Sequence, residues 1–355
     1  MFALSCLSMA FAVTGAFAVE NLSQDFSTSL ESILAQAHQG PLYTYPTSLT
    51  QGIVPKGIHS HNDYWRPLPF YTALSQGVIS VEADVWLYNG TLHVGHEEGA
   101  LTASRTFESL YINPILDVLR RQNPLNSSFL SAPTYNGVFD TSASQTLYLF
   151  VDVKTDGAST WPVVVKALEP LRQAGFLSST NGTAFTSGAV TVIGTGNTPL
   201  NLVQPIESRD YFWDAVSYTF VSFRLSTLQL KTTIPLVVNS LRAFQLSKAN
   251  DRQPIPTLNS TFSNITSLVS PIASTDFAAQ FGSVLGNTFN STQLALLRAQ
   301  IATAHSKGIK VRYWDQPNWP LSTRNGLWKT LWAEGADLLN ADDVVAAAEL
   351  GKSEL

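Results

Sequence analysis

The sequence predicts an α/β chain wound as a (β/α)8 TIM barrel, and three observations predict it. Short apolar, β-rich runs alternate with helix-like stretches along most of the 355 residues, and such alternation signals a parallel sheet with helical crossovers. About eight of these units follow one another, which is the number that closes a barrel. Several helix-like stretches stop at a glycine, at Gly77, Gly175, Gly308 and Gly335, where a C-cap hands the chain to the next strand. An apolar content of 45% excludes general disorder and supplies a large core.

The elements follow in order. Residues 1–18 are a targeting segment: positions 2–18 are apolar and uncharged and end in Ala16-Phe17-Ala18, the small-residue pattern of a cleavage site. Secretion is expected, with a retained signal anchor as the alternative, because about 17 apolar residues is the lower limit for spanning a bilayer. Residues 19–52 read as a helical or irregular lead-in. Residues 53–350 then carry a single barrel with loop insertions. Its strands are expected at 57–59, 78–87, 147–153, 189–194, 215–218, 234–239, 309–314 and 336–340. A turn at 88–91 returns a short strand at 92–96. Helices are expected at 70–76, 111–121, 161–173, 292–307 and 326–334. The polar stretches 122–146 and 240–291 read as insertions or decorated loops.

Composition excludes several function classes. Net charge is −5 and no basic run occurs, which argues against nucleic acid and against electrostatic membrane docking. Cys6 is the single cysteine, so no internal disulfide, zinc-thiolate site or cysteine nucleophile is available. Charged residues reach only 13%, while N-x-S/T sequons stand at Asn21, Asn89, Asn126, Asn181, Asn259, Asn264 and Asn290. Behind a signal segment these point to N-linked glycans on a secreted protein. No protein partner is implied.

Chemistry concentrates between Gly57 and His96. Glu82 and Asp84 stand at i and i+2 on a strand and share one face. Two carboxylates side by side repel unless a hard divalent cation lies between them, and oxygen ligands suit Mg²⁺ or Ca²⁺. The bland alternative is an exposed strand, against which Val81, Val85 and Trp86 argue. Asp152 and Lys154 repeat the spacing at the end of an apolar run. Barrel strands deliver functional groups to the C-terminal face in this way. Asp152 is a third metal oxygen in this reading and Lys154 a holder of anionic substrate oxygen, the alternative being a structural pair. His59, His61, His93 and His96 fall within the same stretch, and His59 with His96 form the expected acid/base pair.

These motifs resemble the glycerophosphodiester phosphodiesterase and phosphatidylinositol phospholipase C superfamily, and within it the fungal group called altered inheritance of mitochondria protein 6. The resemblance rests on His59, on Glu82-Ala83-Asp84-Val85, on Asn89-Gly90-Thr91-Leu92-His93-Val94-Gly95-His96 and on Asp152-Val153-Lys154. It extends to Val311-Arg312-Tyr313-Trp314-Asp315 and to the ending Gly335-Ala336-Asp337-Leu338-Leu339-Asn340-Ala341-Asp342. His59-Ser60-His61-Asn62 is similar to the H-x-x-N of the sphingomyelinase D branch. The resemblance implies a phospholipase-C-like barrel and a metal-dependent phosphoric diester hydrolase. Its substrate would be a glycerophosphodiester or a phospholipid head group, within lipid metabolism. The implied ligands of one divalent cation are Glu82, Asp84 and Asp152. His59 and His96 are the implied catalysts, and Lys154, Asn62, Arg66 and Trp314 the expected substrate contacts, with Tyr218 a second aromatic candidate for the head-group pocket. One departure stands out: the Arg that follows the first His in the glycerophosphodiesterases is missing, and Arg66 is the expected replacement. The alternatives are a catalytically silent secreted barrel that binds a ligand and, with less support, a glycoside hydrolase working through Glu82 and Asp152.

Overall fold

A computed structural model describes residues 45–124, 128–215, 265–284 and 288–352. Twelve strands can be assigned among them: β1 (Lys56–Ser60), β2 (Val78–Tyr88), β3 (Thr91–Val94), β4 (Leu147–Val153), β5 (Ser179–Asn181), β6 (Phe185–Thr186), β7 (Val190–Gly196), β8 (Ser208–Arg209), β9 (Phe212–Trp213), β10 (Ile272–Asp276), β11 (Lys310–Trp314) and β12 (Leu338–Ala341). Eight of them pair in parallel in the order β10-β11-β12-β1-β2-β4-β7-β9. A single parallel bridge between Ala215 and Ala273 joins the two ends, so the barrel is nearly closed. β3 folds back on β2 as an antiparallel hairpin, with Asn89 and Gly90 in left-handed backbone at the turn. β5, β6 and β8 form a separate small sheet.

Strand alternation explains what this barrel encloses. In β2 the odd positions Val81, Ala83 and Val85 are fully buried apolar side chains, and the alternate positions Ser80, Glu82 and Asp84 take the other face. Register carries the pattern across: Ser80 pairs with Tyr148, Glu82 with Phe150 and Asp84 with Asp152. β1 places His59 opposite Ser80 on one side and Asn340 on the other. Buried polar residues therefore line the interior, among them His59, Glu82, Asp214, Ser274, Arg312 and Asn340. A filled barrel more often carries layers of branched aliphatic side chains there.

Among the described residues, the elements expected from sequence are found near their expected places, with two differences of kind. The helix Ser291–Ser306 begins on a capping box in which Asn290 and Gln293 each satisfy the other's backbone N–H. The segment expected as one helix at 161–173 is two, Gly157–Ala167 and Glu169–Gln173. The stretch 240–291 is not wholly inserted loop, because it contains β10 and the helix Phe277–Phe281. β10 reads Ile-Ala-Ser-Thr-Asp, and its small polar residues hide a strand that is identified by pairing with β11 over five residues. The expected strand at 234–239 and all but Ala215 of the one at 215–218 lie outside the described residues, as does the signal segment.

Candidate active site

The carboxylate cluster forms at the C-terminal ends of β2 and β4. One oxygen from each of Glu82, Asp84 and Asp152 lies within 4.8 Å of the others. Glu82 and Asp84 are almost wholly buried. Asp152 Oδ1 is buried without a hydrogen-bond partner. It presses against the end of β7, where a Cβ on Gly196 would collide with it. Only a glycine permits that approach, and Gly196 has φ of +62°. Three hard oxygen donors from neighbouring strand ends fit a divalent cation of the Mg²⁺ or Ca²⁺ kind.

Lys154 stands between two of these acids. Its Nζ is 2.9 Å from Asp84 Oδ2 and 2.8 Å from Asp152 Oδ2. Burial would lower the ammonium's pKa, but Asp152 and Asp84 outweigh burial and raise it. Asp84 is pushed up to about 8, by burial first and by the Asp152 charge second, against the pull of Lys154. Tyr64 also donates to Asp84 Oδ2, at 2.8 Å.

Glu82 faces a different set of neighbours. His61 Nε2 is 3.7 Å away, and His59 Nε2 and Arg312 Nη1 are each 3.8 Å away. The backbone N–H of Asn62 donates to it at 3.0 Å. Burial alone would raise its pKa; His61, His59 and Arg312 outweigh burial and hold the carboxyl well below its usual range.

The histidine on β1 and the one just past its end differ in their surroundings. His59 is 0% exposed. Arg312 donates to its Nε2 at 2.5 Å, and a guanidinium has no acceptor. The ring proton therefore sits on Nδ1 and donates to Ser80 Oγ at 2.7 Å. Both nitrogens are engaged, and burial followed by the Arg312 charge lowers the pKa to about 3. His61 has a side chain 27% exposed. Its Nδ1 donates to Asp342 Oδ1 at 2.8 Å, and its Nε2 is turned toward Glu82, 3.7 Å away. Burial opposes protonation of His61, but Glu82 and Asp342 prevail and raise its pKa.

Of the expected acid/base pair, His59 is enclosed and His96 exposed. Both ring nitrogens of His59 have protein partners, and just past the end of this strand His61 turns its Nε2 toward Glu82. His96 lies exposed at the rim, with its ring against Trp65 at a centroid distance of 5.4 Å. Next to it, the Gly95 N–H donates to the Asp84 carbonyl.

Two of the expected substrate contacts have partners within the protein. Asn62 is buried in left-handed backbone, at φ 50° and ψ 44°, which asparagine tolerates better than most residues. Its amide donates to Asp342 Oδ1 at 3.3 Å and accepts from Tyr64. Arg66 donates to the carbonyls of His61 at 2.9 Å and Ala341 at 3.3 Å, and to Ser60 Oγ at 3.3 Å. Both residues hydrogen-bond to the loop after β1 or to the chain beside it. Trp314 is half-buried at the end of β11, in register with Asp276. Tyr218 lies outside the described residues.

Sequence reasoning assigned no role to Arg312 or Asp342. Arg312 donates to Ser274 Oγ at 2.8 Å and Asn340 Oδ1 at 3.2 Å, besides His59. It stands over the Phe150 ring at 4.6 Å and 3.7 Å from Asp214 Oδ2. Burial raises the Asp214 pKa to about 6.

A family model described as the AIM6-like phosphodiesterase domain matches residues 47–214. An altered inheritance of mitochondria protein 6 homolog from Arthroderma benhamiae is 48% identical over 331 residues, covering 90% of this chain and 92% of its own. Altered inheritance of mitochondria protein 6 from Candida glabrata is 29% identical over 84% of this chain and 72% of its own. Among solved structures, a glycerophosphodiester phosphodiesterase from Parabacteroides distasonis superposes with a TM-score of 0.40 at 10% identity. That match covers 86% of this chain and 100% of the other.

Proposed function

The chain belongs to the altered inheritance of mitochondria protein 6 family, and from that premise we propose that it is a metal-dependent phosphoric diester hydrolase. Its substrate in this reading is a glycerophosphodiester or a phospholipid head group. The observation that carries the reading is the pairing of two devices in one barrel mouth. The Glu82–Asp84–Asp152 oxygens form a cation site, and the Asp342–His61 pair leaves one imidazole nitrogen directed 3.7 Å from Glu82.

A bound divalent cation supplies Lewis-acid polarisation of a phosphoryl oxygen and offsets the charge that develops there. The protein's own groups do the rest. Asp342 holds the Nδ1 proton of His61 and fixes the ring's direction. Nε2 of His61 takes the proton of the attacking hydroxyl. His96 at the rim gives a proton to the leaving oxygen. Asn62 and Arg66 keep the loop that carries His61 in place. Secretion and N-glycosylation belong to the same proposal, supported by the apolar segment at 2–18 and by exposed sequon asparagines at Asn89, Asn181 and Asn290.

The test uses the secreted protein, with glycosidase treatment expected to lower its mass. Turnover of bis(p-nitrophenyl) phosphate and of glycerophosphodiesters is measured with Mg²⁺ or Ca²⁺ and then with EDTA. EDTA and Glu82→Ala should each abolish turnover. His96→Ala should lower kcat roughly 10²–10⁴-fold on glycerophosphodiesters and far less on the nitrophenyl ester, whose leaving group needs no proton. Turnover that survives both EDTA and Glu82→Ala sinks the reading. Equal losses on both substrates remove His96 as the proton donor.

A further inference from the structure

We propose that Lys154 is a built-in counter-cation of the carboxylate cluster, which a divalent cation must displace before it can bind. This inference rests on the metal-dependent reading above and says what controls it. The Lys154 ammonium bridges Asp84 Oδ2 and Asp152 Oδ2 at 2.9 and 2.8 Å. Those are two of the three acids in the candidate cation site. The third, Glu82, has its neighbours elsewhere, in Arg312, His59 and His61. An ammonium and a divalent cation therefore compete for the same pair of carboxylates, because both are drawn by the same charge and lone pairs.

The exchange needs only a side-chain movement. The Lys154 backbone is pinned: its N–H donates to the Val85 carbonyl at 3.0 Å, and its carbonyl accepts from Asn197 Nδ2 at 3.1 Å. The four-carbon stem is flexible, and the side chain is 23% exposed, so the open direction is toward solvent at the mouth. A divalent cation that takes Asp84 and Asp152 turns the ammonium out to where an anionic substrate arrives. Cation binding then comes first and creates the anion contact. Tyr64 remains on Asp84 throughout, which keeps that carboxylate oriented while its counter-cation changes.

Calorimetric titration of the wild-type chain and of Lys154→Met with Mg²⁺, Ca²⁺ and Mn²⁺ tests this. Removing one positive charge a few ångströms from the site should tighten cation binding about tenfold or more. Binding to the wild type with no gain in Lys154→Met overturns the counter-cation role and leaves the phosphodiesterase reading standing. No binding to either protein overturns both. A second measurement on the unaltered chain guards against a misfolded variant. Amine acetylation, read by mass spectrometry, should modify Lys154 faster when cation is added, with exposed Lys166 and Lys329 as internal references. Unchanged or slower modification of Lys154 in saturating cation overturns the proposal.

Discussion

Two arcs of the barrel mouth carry the chemistry, and they are built differently. The β2–β4 arc holds Glu82, Asp84, Asp152 and Lys154, four groups from two neighbouring strands at i, i+2 spacing in perfect register. The β11–β12–β1 arc holds Arg312, Asn340, Asp342, His59 and His61. Its defining contacts span 253 residues from His59 to Arg312 and 281 residues from His61 to Asp342. The first arc is local chemistry multiplied by strand alternation. The second exists only once the ring closes and brings the last strands against the first. A group's role in the first arc follows from its own strand, whereas in the second it follows from which distant partner it meets.

His59 on β1 and His61 just past its end give the strongest test of that difference. They are two residues apart, yet they should fail in different ways. His61→Ala should lower kcat roughly 10²–10⁴-fold, the ordinary worth of a positioned acid/base group, with little change in the unfolding midpoint. His59→Ala should instead lower the urea midpoint, because it strips the buried Arg312 and Ser80 of a hydrogen-bond partner. Turnover per folded molecule should then fall far less than in His61→Ala. Wild-type stability with lost turnover in His59→Ala would return the catalytic role to His59 and erase the distinction.

Arg312 comes next. It is the interior cation near both Glu82 and Asp214. Arg312→Met removes it and leaves those carboxylates buried without compensation. Breaking a buried pair in this way costs about 3–5 kcal/mol, to be read by urea denaturation. A loss within about 0.5 kcal/mol, the range of ordinary surface changes, would mean that the second arc is not held together through Arg312.

Legibility in the sequence follows the same division. The barrel and all three cluster acids can be found because alternation and glycine caps are written within a few residues. His59 looks catalytic because it ends a strand, and nothing local reveals that Arg312 will cover its Nε2. Arg66 looks like a substrate cation for the same reason: its carbonyl partners are not visible until the loop closes over Ala341. The signal that would have favoured His61 is Asp342 after the last strand, a carboxylate placed next to the C-terminal end of β1 when the last strand pairs with it in parallel. β10 escapes notice because Ala273, Ser274 and Thr275 carry no hydrophobic pattern, and its strand character comes from pairing with β11.

Asp63 provides the smallest of these effects and shows what the loop of the second arc costs. It is wholly buried. Ser60 Oγ donates to it at 2.7 Å, and the backbone N–H of Phe70 donates at 2.6 Å. Phe70 sits at φ +63° and ψ −56° in a tight turn closed by the Tyr71 N–H on the Pro69 carbonyl, a strained conformation for a residue with a side chain. Burial raises the Asp63 pKa from 3.8 to about 6, against the hydrogen bonds from Ser60 and Phe70 and the charge of Arg66. Between those values the unfolded chain has released its proton while the folded chain still holds it. This contribution to stability is therefore complete below pH 3.8, declines as pH rises, and is gone above about 6. A shift of about two units corresponds to about 3 kcal/mol. Asp63→Asn cannot titrate, yet its amide oxygen can still accept from Phe70. Its stability relative to wild type should therefore improve by about that amount between pH 4 and pH 7 in urea denaturation. Parallel pH profiles for the two proteins would show that Asp63 ionises in place at no cost, and that the loop bearing His61 is held without it.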